Sequence, residues 1–448
     1  MSTQNSKPRK ITRREMLKRA GGSSLVLAAA SSLSPFLFTG CSGGKKSGGS
    51  GGSIKVGILH SLTGFMAISE KSLHDVELMA IEEINEAGGV LGKKVEPIVE
   101  DPASNFETGF PEKARKLLLD DRVDAVFGCW TSASRKSVLE IFEENNGLLF
   151  YPVQYEGNEC SRNVVYTGAA PNQQILPAVD YLWNEMGKRK FYLLGSDYIF
   201  PRTANQIIRA QLKNVYKAEP VQERYADLKQ RDFKDIVDDI RKVEPDVIFS
   251  TINGDSNIPF YNELANNGIT ADKIPVCAVS VAEDELRGLI GKTAIKGHLA
   301  AWNYFQSVDL PSNKKFVEKF KSKYGKDRVT DDPIEAAYFQ VYFWKNAVEK
   351  AQSTEVDKVI AAIQDPEKPI TFDAPGGMVK IDPENMHTWK PFRMGRVRED
   401  GQFDIIFEKK DKSGNVELIR PDPYPRVAYN KTCNWIKAPK KGVIELDS

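Results

Sequence analysis

Histidine and cysteine are scarce in these 448 residues: four of the first and five of the second. No CxxC pair occurs, and the cysteine spacing fits no zinc pattern. His60, His74, His298 and His387 form no HExxH and no i, i+4 pair, which removes the usual hydrolytic metal motif. Net charge is nearly absent too. Sixty-two Lys+Arg against 61 Asp+Glu give +1, whereas a nucleic-acid binder normally carries a basic excess. Residues 1–40 hold seven Lys+Arg and one Glu, so the remainder stands at −5 and no nucleic-acid partner is expected. No apolar run reaches the roughly 20 residues needed to span a bilayer. The longest candidate, Leu25 to Phe38, is short of that and follows the basic stretch Lys7 to Arg19.

That layout is a secretory signal. Thr12-Arg13-Arg14-Glu15-Met16-Leu17-Lys18 resembles a twin-arginine export signal, and Phe38-Thr39-Gly40-Cys41 resembles a bacterial lipobox. Cys41 is therefore the expected lipidation site, and a lipid anchor on the membrane the expected attachment. Ser42 to Ser53 is nearly all Gly and Ser, a flexible tether spreading over roughly 20 Å. Cys129, Cys160, Cys277 and Cys433 remain. Export permits one disulfide among them, but sequence leaves the pairing open.

What is present is a 41% hydrophobic chain, enough for a large core and two to three domain equivalents. Ile54 to His60 reads as a buried strand, and Leu73, Val76, Ala80 and Ile84 share one helical face after it. Strands over 94–99, 123–127 and 148–151 alternate with helices over 107–119 and 132–143. A second series follows Pro171, with strands at 191–194, near 221, 246–250 and 274–279 and helices between them. Strands separated by helices imply parallel βαβ units, hence two α/β lobes, each an open doubly wound sheet. Helices are expected over 313–324 and 334–351, and 378–407 reads as an antiparallel addition.

Ligands of open α/β sheets bind outside the carboxyl ends of strands. The tips are 61–64, Gly128 to Ser132, Pro152 to Glu156, Gly195 to Tyr198 and Asn253 to Asp255. They are rich in hydroxyls, amides and aromatics and poor in nucleophile–base pairs. Thr131 and Ser132 stand where a helix begins, where N–H groups and a hydroxyl make a donor nest; Ser132 either meets a ligand there or only caps the helix from Ala133. Trp130, Tyr151, Tyr155 and Tyr198 offer flat walls, Gln154 and Asp255 acceptors for N–H groups, and His60 a place beside the cleft. Glu100, Asp101, Glu156 and Asp197 read as solvated loop charges. Gly291-Lys292-Thr293 ends like a Walker loop, but Leu286 replaces its first glycine. No metal or cofactor is implied, and no enzyme.

Longer stretches carry a resemblance. Ile54 to Gly64 is similar to the opening of solute-binding proteins of the branched-chain amino acid class. Gly128-Cys-Trp-Thr-Ser-Ala-Ser-Arg-Lys136, Phe150-Tyr-Pro-Val-Gln-Tyr-Glu-Gly157, Tyr166 to Gln174, Gly195 to Arg202 and Arg420 to Tyr424 resemble its urea/amide branch. The branch implies a two-lobed periplasmic binding protein (type I). Residues 54–170 and 301–370 would form lobe 1, and 171–300 and 371–448 lobe 2, with hinge crossings near 170, 300 and 370. It also implies that Trp130, Ser132, Tyr151, Val153, Gln154 and Tyr198 hold the amide, and that the partners are an ABC permease and ATPase. Trp130 and Val153 match the urea members rather than the amide sensors. Urea or a short-chain amide is the expected ligand. The alternatives are a branched-chain amino acid or longer-amide binder, an amide-sensing regulator and an amidohydrolase.

Overall fold

The computed structural model describes residues 52–287 and 294–433. The export signal, Cys41, most of the tether and Gly291-Lys292-Thr293 lie outside the described residues.

The first lobe is a five-stranded, wholly parallel sheet. Its strands are β1 (Ile54–Leu59), β2 (Val95–Glu100), β3 (Ala125–Gly128), β4 (Leu149–Tyr151) and β5 (Val164–Tyr166), in the order β2-β1-β3-β4-β5. Strands so buried on both faces read as near-continuous apolar runs, which is how 54–59 and 125–128 read. On one face, Val56, Ile58, Phe127 and Phe150 pack with Phe339, Phe343 and Trp344 of the helix Asp332–Ala351. On the other, Leu59, Val126, Leu149 and Tyr151 pack with Val138 and Phe142 of the helix Ser132–Glu144.

The second lobe is a seven-stranded sheet. Parallel strands β6 (Phe191–Ser196), β7 (Gln222–Ala226), β8 (Val247–Thr251), β9 (Val276–Ala278) and β10 (Leu299–Trp302) are extended by the antiparallel pair β14 (Arg393–Val397) and β15 (Phe403–Glu408). The order is β15-β14-β10-β9-β8-β6-β7. After β10 the chain forms a separate small antiparallel sheet of β11 (Thr371–Ala374), β12 (Gly377–Ile381) and β13 (Thr388–Trp389).

The chain crosses between lobes at 167–174, after β5, and again after Trp302. A third crossing expected near 370 is corrected. Ile370, Ala374, Val379, Ile381 and Met386 are buried in the first-lobe core. The apolar side of β11 and β12 is laid on the helix Asp332–Ala351, so the chain leaves that lobe only after Trp389. The helix Pro311–Tyr324 also joins the first lobe, through Phe316 and Phe320. Cys160 and Cys433 form the disulfide, while Cys129 and Cys277 are buried thiols. Among the described residues, no helix is long and apolar enough to cross a membrane.

Candidate functional site

Strands β3 and β4 end side by side, so their tips share one edge of the cleft. At β3 the chain turns sharply. A Cβ on Gly128 would stand 2.4 Å from the Leu59 carbonyl oxygen, and Cys129 takes a left-handed φ of 66°. Non-glycine residues hold that conformation only where the surroundings impose it. The turn delivers Trp130 and Thr131 to the start of the helix Ser132–Glu144. Thr131, not Ser132, caps this helix, accepting the Ser134 N–H at 3.0 Å.

Ser132 is thereby free for another partner and donates to Glu156 Oε2 at 2.5 Å. One turn along the helix, Arg135 is fully buried. It donates to Ser132 Oγ at 3.2 Å, Glu156 at 3.3 Å and Glu159 at 2.7 Å. Its guanidinium also lies 4.7 Å from the Tyr151 ring centre and 4.6 Å from that of Tyr155. Burial would raise the Glu159 carboxyl, but Arg135 and Lys136 outweigh it and hold it at about 2. Sequence reading missed this network. Glu156, expected as a solvated loop charge, is 1% exposed. The one available signal was Arg135 sitting three residues after Ser132, on the same helical face.

Trp130, Val153 and Gln154 are buried at the two tips. Tyr151 donates its hydroxyl to the Trp130 carbonyl at 2.6 Å. Gln154 reaches the other lobe, donating Nε2 to the Val279 carbonyl at 2.8 Å and to Ser280 Oγ at 3.3 Å. Among the described residues its Oε1 has no partner, nor does Trp130 Nε1. From the second lobe, Tyr198 follows β6. Its hydroxyl is pushed well above the ordinary tyrosine range by burial and by Tyr151 and Glu156 of the facing lobe. The structure thus brings Trp130, Ser132, Tyr151, Val153, Gln154 and Tyr198 to one region.

Three other candidates stand apart from them. Tyr155 is stacked on Tyr166, ring centres 5.0 Å apart, and its hydroxyl bonds His387 Nε2, so it serves the interior of the first lobe rather than a cleft wall. His60 is wholly buried between Glu77, at 3.0 Å, and Glu70, at 3.5 Å. Burial opposes its charge, yet the two carboxylates raise it to about 9. Asp255 pairs with Arg231 at 2.5 Å, leaving Oδ1 buried without a partner. Of the loop charges, Asp101 accepts Leu62 N–H at 3.0 Å and Glu100 pairs with Lys116 at 2.7 Å, so neither is simply solvated.

The model of the periplasmic binding protein domain matches residues 54–430. The chain belongs to the periplasmic binding protein family. As a family member it is a solute-binding protein. A Leu/Ile/Val-binding protein homolog 6 of Brucella melitensis is 23% identical over 374 residues, 81% of this periplasmic binding protein and 93% of the relative. A limonene hydroxylase of Geobacillus stearothermophilus is 31% identical over 121 residues; that stretch is 27% of this chain and spans only 21% of that protein. A solute-binding protein of an ABC transporter from R. palustris, solved with 4-hydroxybenzoate, superposes with a TM-score of 0.70 at 22% identity, over 80% of this chain and 98% of that one. A leucine-binding protein from Thermotoga maritima gives 0.68 at 20% identity, over 79% and 98%. These structures share the fold.

Proposed function

We propose that the protein captures urea or a short-chain amide between its lobes and passes it, chemically unchanged, to an ABC permease with its ATPase. In this reading it is exported and held at the membrane by lipid on Cys41. The observation that carries the ligand class is the pair of unpartnered atoms, one donor and one acceptor. A buried polar group without a partner costs roughly 1–3 kcal/mol. Trp130 Nε1–H asks for a carbonyl and Gln154 Oε1 for an N–H, and an amide supplies both.

Charge supports the same choice. The R. palustris neighbour was solved with a benzoate and the Thermotoga maritima neighbour is named for leucine. Such ligands bring a carboxylate, and an amino acid brings both charges. Here the buried Arg135 is already held by Glu156 and Glu159, so it has no charge to offer an anion. The second reading, a branched-chain amino acid binder, is favoured only by the names of the relatives. Calorimetry against urea, acetamide, leucine and 4-hydroxybenzoate separates them. Urea or acetamide should bind and leucine and benzoate should not; leucine binding more tightly than urea would end the proposal. Ammonia release from urea on incubation would return the amidohydrolase reading.

A further inference from the structure

The lobes also meet just beyond the Val279 and Ser280 contacts of Gln154, around the short helix Glu283–Leu286 of the second lobe. Its carboxylates reach across to the helix Ala67–Glu86 of the first. Ser69 Oγ donates to Glu285 Oε1 at 2.7 Å, and Ser72 Oγ to Asp284 Oδ2 at 2.5 Å. The second Glu285 oxygen is taken by its own Ala282 N–H at 2.9 Å. Glu283, Asp284 and Glu285 are all less than 5% exposed, and Glu283 Oε2 has no partner among the described residues.

Every element packed here adds charge of the same sign. Asp331 and Asp332, both buried, approach from the segment that opens the helix Asp332–Ala351, with Glu335 beside Asp332. The cations are fewer and mostly engaged. Lys390 pairs with Asp332 at 3.0 Å, and Arg287 is shared between Asp284 and Asp327. Arg328 donates to Ser72 Oγ at 3.0 Å and pairs with Asp75 at 2.9 Å. Arg393 pairs with Glu408 at 2.8 Å, and Lys71 and His74 line only the outer rim. Glu285 has no cationic partner among the described residues.

We propose that lobe closure in this protein is proton-linked, with Glu285 as the group that takes up a proton when it docks on Ser69. An ionised carboxylate dragged from water into this acidic junction is penalised by both desolvation and like charge. Burial and Asp284 raise Glu285 to about 7, and burial and Glu285 raise Glu283 to about 8. Opening would return Glu285 to water and to an ordinary carboxyl value near 4.3. The sign follows. Closure is unhindered below the open-state value and weakens as pH rises toward the closed-state one. Across that interval the closed-to-open ratio falls about tenfold per pH unit for each proton.

The test needs no ligand, so it stands apart from the proposed function. Small-angle scattering of the whole mature protein from about pH 5 to about pH 8.5 should show the radius of gyration growing. Glu285→Gln, which copies the protonated acid by accepting the Ala282 N–H with its carbonyl and donating its amide N–H to Ser69 Oγ, should stay compact throughout. Should circular dichroism show Glu285→Gln unfolded, Asp284→Asn replaces it and should flatten the curve. A wild-type radius constant over this range, whether extended or compact, overturns the proposal. So does a folded Glu285→Gln, or its replacement, that opens along the wild-type curve.

Discussion

Trp130→Phe removes the indole N–H together with part of a buried ring, so at the scale of the residue it probes binding and packing at once. Trp130 Nε1 has no partner among the described residues, so folding loses no hydrogen bond, only the packing of the larger ring in the first-lobe core. A ligand carbonyl would lose its donor, at roughly 1–3 kcal/mol. Calorimetry should therefore show urea binding weakened about 5- to 160-fold, beside a lower melting temperature of the ligand-free protein from the lost ring volume. Arg135→Met is its opposite. It leaves Glu156 buried without a cation and Glu159 with Lys136 alone. Removing one partner of a buried ionic network costs about 3–5 kcal/mol. Unfolding in guanidinium chloride, chosen because urea is the suspected ligand, should register that loss. The two residues also mark what sequence could reveal. Trp130 was legible because it follows a strand. The role of Arg135 was not, since its partners lie 21 and 24 positions away and only β3–β4 pairing brings them beneath it.

At the scale of elements, the segment after Ile419 works as a strap. Asn158 N–H donates to Pro423 O at 2.7 Å in the first lobe, and Asn214 Nδ2 to Val427 O at 2.9 Å in the second. Cys433 then closes it onto Cys160, 273 positions earlier. Removing a crosslink of that span costs about 2–5 kcal/mol, mainly by freeing the unfolded chain. Cys433→Ser should lower the guanidinium midpoint accordingly, and reduction of the wild type should give the same midpoint. The pairing itself was not readable, because four cysteines allow several partners and proximity is a tertiary fact. The parallel strands were readable because their apolar runs are continuous and helices separate them. β5 escaped notice at three residues, too short for any period to show. The misplaced third crossing has a similar cause. The alternation in β11 and β12 announces a half-buried sheet without saying which core it covers.

For the whole molecule, the buried titratable groups set where stability peaks. His298 and His387 are lowered to about 4 by burial, so they must be neutral in the folded state. Folded protein binds fewer protons at these sites than unfolded protein does, and stability falls as acid charges them. Glu159, held at about 2, adds to the acid limb from about pH 4.5 downward. On the alkaline side the balance reverses. Unfolded histidine titrates near 6.5, whereas folded His60 keeps its proton to about 9. Glu283, raised to about 8, and Glu285 and Glu335, raised to about 7 by burial, also hold protons that the unfolded chain has released. The carboxyls begin to cost stability above about pH 4.3 and finish near 7 to 8, His60 acts from about pH 6.5 to about 9, and within its own window each such proton lowers stability by up to about 1.4 kcal/mol per pH unit. Melting temperatures across this range should peak on the acid side of neutrality and decline toward pH 9. His60→Gln isolates one contribution. It removes the imidazolium between Glu70 and Glu77, so its deficit against wild type should be full near pH 6 and shrink as the wild type loses that charge near pH 9. A deficit independent of pH would mean that His60 stabilises the first lobe by packing alone, and not as a cation between two acids.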